Sequence, residues 1–180
     1  AQALTQLTVT YTIVPPPTDV PACTRWASNN GSGNGLTFDT PYTIGAFLAA
    51  HSQSPGAVLC LKDGMYTGGN NLVRTATSFA GTSSNPIWIR ALNEGKVVLD
   101  GQDSIRPADL QGSWGVLSGV DIKRGDNANL KFRGSNWLAR KIVSYNGGTG
   151  NTHLIAGQGT NNTAEDIAVF GTAEKVSAFG

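Results

Sequence analysis

Gly81-Thr-Ser-Ser-Asn-Pro-Ile-Trp-Ile-Arg-Ala-Leu-Asn-Glu-Gly-Lys-Val-Val-Leu-Asp-Gly101 decides how the chain is read. It holds two short β-type runs, Ile87 to Ala91 and Lys96 to Leu99, joined by the turn Asn93-Glu94-Gly95. Strand, polar turn and strand then recur toward the C-terminus, the pattern of a stacked solenoid rather than of one central sheet. Placing Val98, Val120, Ile142 and Ile167 beneath one another gives steps of about two dozen residues. A second row, Leu130-Lys-Phe-Arg and Thr152-His-Leu-Ile, sets Leu130 above Leu154, so each coil holds more than one strand.

The 180 residues suit one domain, and 39% apolar with 14% charged residues fills a narrow core. A net charge of +1 without a basic cluster excludes the footprint of a nucleic-acid binder. No apolar run approaches the roughly 18 residues that cross a bilayer as a helix, so membrane insertion is not expected. The start at Ala1-Gln2, the 23 glycines and the low charge fit a mature secreted chain, extracellular or at the cell surface. In that compartment Cys23 and Cys60 would form a disulfide worth about 4 kcal/mol on the loop-entropy model; two buried free thiols are the alternative.

Residues 1–17 read as an N-terminal strand and proline-rich spacer, and 18–180 as the solenoid, incomplete at its C-terminal end. Leu4 to Val14 alternate polar and apolar, and Pro15-Pro16-Pro17 follows as a stiff link. That strand would pair with an edge of its own solenoid or with a second copy of the chain by strand addition. Thr40-Pro41 reads as an N-cap and first helical position. Ile44, Phe47, Leu48 and His51 then share one face of a short helix that covers the first coil. No equivalent cap follows Ile167, so the last coil is a second surface through which copies would meet.

Three stretches carry a resemblance to a known family: Gly56-Ala-Val-Leu-Cys-Leu-Lys-Asp-Gly-Met-Tyr-Thr-Gly, Asn85 to Gly101, and Trp114-Gly-Val-Leu-Ser-Gly-Val-Asp-Ile-Lys. They resemble the N-terminal coils of right-handed parallel β-helix proteins, particularly polysaccharide lyases of the chondroitinase B and alginate lyase type. The resemblance implies an all-β, right-handed single-stranded parallel β-helix, to which the residues themselves add the N-terminal capping helix and the extra N-terminal strand. It further implies a secreted carbohydrate-active protein, or the N-terminal part of one, that binds acidic polysaccharide and cleaves it by β-elimination. That chemistry needs a Ca²⁺ or cationic side chain to neutralise the uronate and a base to take the proton at C5. The family's catalytic positions lie on later coils, so none is carried onto this chain. The competing expectation is an extracellular structural or adhesive subunit that self-assembles by strand exchange and coil stacking.

The candidate sugar-binding residues are the cations on successive coils: Lys123, Arg124, Lys131, Arg133, Arg140 and Lys141. Alternation puts Lys131 and Arg133 outward and Leu130 and Phe132 inward. Ordinary solvated strand faces are the competing account, which the usual exposure of Lys and Arg favours. Asp121 and Asp126, with Asn127 and Asn129 nearby, are the candidate oxygen ligands for Ca²⁺, while tight-turn chemistry explains Asp126-Asn127 as well. Asn136, Asn146, Asn151, Asn161 and Asn162 read as corner residues, and Trp26, Trp88, Trp114 and Trp137 as sugar platforms or core packing.

Overall fold

The structure, a computed structural model, describes residues 20–148 and 153–171. The strand expected at Leu4 to Val14, the proline spacer, Asn151 and the last nine residues lie outside the described residues.

Strand β1 (Arg25–Ala27) and helix α1 (Ile44–His51) open the described fold. The first full coil is β2 (Val58–Leu61), β3 (Gly64–Tyr66) and β4 (Val73–Arg74). The second is β5 (Ile87–Ala91), β6 (Val97–Asp100) and β7 (Ala108–Leu110), and the third β8 (Gly115–Ser118), β9 (Val120–Lys123) and β10 (Ala128–Phe132). Next come β11 (Leu138–Tyr145) with β12 (His153–Gly157), then β13 (Thr163–Phe170). Every named strand pairing is parallel. The chain is therefore a parallel β-helix, with the right hand that parallel crossovers take.

Three ladders result. The first runs β1, β2, β5, β8, the start of β11, then β13; the second runs β3, β6, β9, then the end of β11. Long β11 joins both into one nine-stranded sheet, and the third ladder is β4, β7, β10 and β12. Inside, Ile87, Ile89, Leu117, Val120, Ile122, Leu130 and Ile142 are excluded from solvent. Burying such side chains contributes about 1.5–3 kcal/mol each, which drives coil onto coil.

The inward column is Val97, Val120, Ile142 and Ile167, because Val97 pairs with Val120 and Val98 with Asp121. Val98, expected in that column, points outward. Two consecutive valines satisfy the alternation in either phase, and only the rung above selects one. Likewise Leu130 pairs with Ile155, one residue beyond the Leu154 expected.

The helix is capped by Thr43, whose Oγ1 accepts from the Ala46 N–H at 3.1 Å, and not by Thr40. Thr40 instead bonds Asn34 Oδ1, because Tyr42 is held extended against Ala27 and its N–H donates to Trp26 O. Ile44 and Phe47 are fully buried against the first coil, as a covering helix requires.

Corners are made by single left-handed residues. Lys141 and Asp166 (φ 54° and 52°) continue a column from Gly119, and Asn136 with Asn161 form another. Polar short side chains tolerate this region, which explains the corner asparagines without a ligand. Close stacking also demands glycine: a Cβ on Gly134 would overlap the Gly112 carbonyl, and one on Gly159 the Gly134 carbonyl. Trp137 is a core residue, stacked on Phe79 with ring centroids 4.9 Å apart.

Candidate functional site

Stacking divides the six candidate cations among four places. Lys123 and Arg124 flank Asp100, a buried carboxylate at the end of β6. Burial pushes the Asp100 carboxyl up. The Arg124 guanidinium at 2.8 and 2.6 Å, the Gln102 N–H and Lys123 outweigh it and hold the group below its usual range. Lys141 stands at a corner with Glu94 at 2.8 Å, while Arg140 faces outward from the first ladder, 3% exposed. Lys131 and Arg133 belong to the third ladder.

There the outward column is Arg74, Asp109, Lys131 and Ala156, set by strand register. Asp109 is 2% exposed and accepts from Arg106 Nη1 at 2.9 Å and Arg133 Nε at 2.8 Å. Burial, with repulsion from Arg106 and Arg133, pulls the Lys131 ammonium down from its ordinary value. Four cations thus surround one carboxylate. A groove of about 410 Å³ opens beside Arg74 and Asp109, between the third ladder and the helix, with Asn70, Thr75 and Gln111 on its walls. Such a groove presents charge and hydrogen-bonding groups to an extended anionic chain.

A second cleft, about 300 Å³, lies at the corner between the first two ladders and carries Glu94, Asp121, Lys141 and Asp166 over Val143 and Ala168. Three carboxylates against one ammonium make it acidic. Asp121 stands outward between Val98 and Val143, so burial pushes its carboxyl up. Asp126, the other candidate ligand, is exposed in the turn before β10. Asn129 is committed to the fold: its Oδ1 accepts from Gly125 N–H, and its Nδ2 donates to Tyr145 O and Ser144 Oγ. Among the described residues no three His, Cys, Asp or Glu side chains converge as metal ligands. Ca²⁺ takes six to eight oxygens, more than any cluster of described carboxylates supplies, and no step is routed through it.

Alternation found Lys131 and Arg133 but missed Arg74, Arg106 and Asp109. Arg74 ends a two-residue strand, too short to show a period. The signal for Asp109 was its position in an apolar run at Ala108 to Leu110, where a carboxylate needs cationic partners. Cys23 and Cys60 form the disulfide, tying the segment before β1 to β2. His51 accepts from Arg25 Nε at 3.2 Å and lies 5.4 Å from the Phe47 ring, so it serves the helix packing.

Residues 48–168 match the family model for Chondroitinase B. Among solved structures, the crystal structure of pectate lyase Pel9A superposes with a TM-score of 0.53 at 19% identity, over 79% of this chain and 46% of that one. At that identity the likeness speaks for the fold. The chain spans less than half the length of that lyase. No curated protein matches the chain.

Proposed function

The chain belongs to the Chondroitinase B family, and from that premise we propose that this lyase-like β-helix is a secreted protein that binds an anionic polysaccharide along its third ladder. One observation carries the proposal: Arg74, Arg106, Lys131 and Arg133 gather around the single carboxylate of Asp109, beside a groove open to solvent. Arg133 is 40% exposed, and Arg74 is exposed, so both reach a ligand while Asp109 positions the guanidinium groups. A polyuronate would meet a positive field there, whereas a neutral glucan would meet only hydroxyl and amide groups. The disulfide supports an oxidising compartment.

Binding is the proposed activity. For β-elimination the acidic corner cleft offers Asp121 as a base, but its carboxylate excess repels the uronate that the reaction must neutralise. Affinity electrophoresis through gels holding polygalacturonate, alginate, chondroitin sulfate or a neutral glucan tests this. Retardation by the anionic polymers, abolished by salt and by Arg74→Ser with Lys131→Ser, is expected. Equal retardation by the neutral glucan, or none by any anionic polymer, overturns the proposal. No ultraviolet absorbance of unsaturated uronate should accumulate; a rise would make the chain a lyase and move the chemistry to the corner cleft.

A further inference from the structure

The outward face of the first ladder carries a second, different group of cations. Register places Trp26, Cys60, Arg90, Ser118, Arg140 and Glu165 in one column. Trp88 precedes Arg90 by two residues on the same strand and therefore shares its face. Arg90 lacks an anionic partner among the described residues, and Arg140 has one ion pair, to Glu165, with no hydrogen bond at its Nε. Arg140 is 3% exposed; its Nε is buried without a hydrogen bond, 3.5 Å from the nearest Glu165 oxygen. Arg90 gives Nη1 to Ala91 O and Nη2 to Cys23 Sγ, makes no ion pair among the described residues, and keeps its own Nε buried and unbonded. Burial, with no anion to offset it, pulls the Arg90 guanidinium below its ordinary value. Ser118, the rung between them, makes no side-chain hydrogen bond among the described residues.

Desolvated guanidinium groups with unused donors are costly unless an anion meets them. Arg106 shows the contrast among the described residues: its Nε is also buried without a bond, but its Nη1 meets the Asp109 carboxylate at 2.9 Å, and Arg90 has no such anion. Arg90 and Arg140 stand two rungs apart, roughly 9–10 Å, with a free hydroxyl midway. From this geometry we infer that Arg90, Ser118 and Arg140 form a carboxylate-binding site for an acidic sugar residue. Arg90 stands half-exposed at the mouth, and Arg140 supplies the field from below. The half-buried Trp88 indole favours a sugar over an acidic peptide, because its flat apolar face suits a pyranose ring while the guanidinium takes the carboxylate. The sugar assignment rests on the proposed binding of anionic polysaccharide; the anion site itself does not.

The probe is trigalacturonate, too short to span both faces, titrated by calorimetry against the full chain carrying Arg74→Ser and Lys131→Ser, which silences the third ladder. Arg140 is buried and its loss risks the fold, so the test variants are Arg90→Met and Arg90→Lys, each checked by circular dichroism. Arg90→Met should weaken trigalacturonate binding about tenfold or more, and Arg90→Lys should recover part of it, since lysine keeps the charge and loses the fork. A neutral trisaccharide should not bind measurably. Unchanged affinity in Arg90→Met, or no trigalacturonate binding once the third ladder is silenced, overturns this site and leaves the third-ladder proposal standing. Tighter binding of poly-L-glutamate than of a polyuronate of equal charge would make the partner an acidic peptide and overturn the sugar assignment. Wild-type protein that binds neither polyuronate nor trigalacturonate sinks both proposals.

Discussion

Replacing Asp109 by Asn should weaken the fold and strengthen binding, an opposition that few substitutions produce. Asp109 is 2% exposed and holds Arg106 and Arg133 at 2.9 and 2.8 Å. Removing one member of a fully buried ion pair costs about 3–5 kcal/mol. Here the two guanidinium groups are 17% and 40% exposed and can regain water, and the amide still accepts a hydrogen bond. The expected loss is therefore about 2 kcal/mol, or about 4–8 °C in Tm for a domain of this size. Binding moves the other way, because the face changes from four cations and one carboxylate to four cations alone. One unit charge about 8 Å from a sugar carboxylate contributes roughly 0.5 kcal/mol in a water-like dielectric, a two- to threefold gain per carboxylate at low salt. Thermal melts followed by circular dichroism read the first effect, and salt-dependent affinity electrophoresis on polygalacturonate reads the second. A variant that melts lower yet binds more weakly would refute the charge-excess reasoning and make Asp109 the element that orients the arginines for ligand.

Register is tested by a neighbouring pair: Val97→Ala should cost about 2–3 kcal/mol, two buried methyls plus the cavity, while Val98→Ala should cost under about 1 kcal/mol by urea unfolding. Equal losses would contradict the pairing of Val97 with Val120. Burial raises the Asp121 carboxyl in the folded state, so the unfolded chain releases its proton first and this group lowers stability as pH rises. Asp121→Asn should then be the more stable protein at pH 7, with the gap closing toward pH 4; a constant gap would place the effect outside titration. Asp100 works with the opposite sign. Its carboxyl is held low in the folded state, so its stabilisation is present at neutral pH and fades as acid protonates the folded group. Acid unfolding of Asp100→Asn should accordingly start from lower stability and depend less on pH; an unchanged acid limb would show that the Arg124 pair contributes nothing.

Legibility followed the kind of signal each residue emits. The Ile87 to Ala91 run alternates cleanly, and Trp88 and Arg90 do lie outward between buried Ile87, Ile89 and Ala91. Lys131 and Arg133 were placed beside one another because Leu130 and Phe132 declared the inward face. The phase at Val97-Val98 was illegible, since two adjacent β-branched residues satisfy either face. The helix start was misplaced for a related reason: Thr40-Pro41 is a sound capping signal, but Tyr42 is already held by Trp26 and Ala27, a contact absent from any local window.

Periodic hydrophobicity was enough to set a stacked solenoid, the three family-like stretches made it a parallel β-helix, and two cysteines in a low-charge chain favoured a link that the structure then closed between Cys23 and Cys60. Those signals are local or repeat along the chain, and burial of one face imposes them on every coil. Which charges share a face was decided only by the stacking, because Arg74, Asp109 and Lys131 meet across rungs 22 or more residues apart, as do Arg90, Ser118 and Arg140. A shift of one residue in any coil would send those side chains to the opposite face, and only the packed core forbids it.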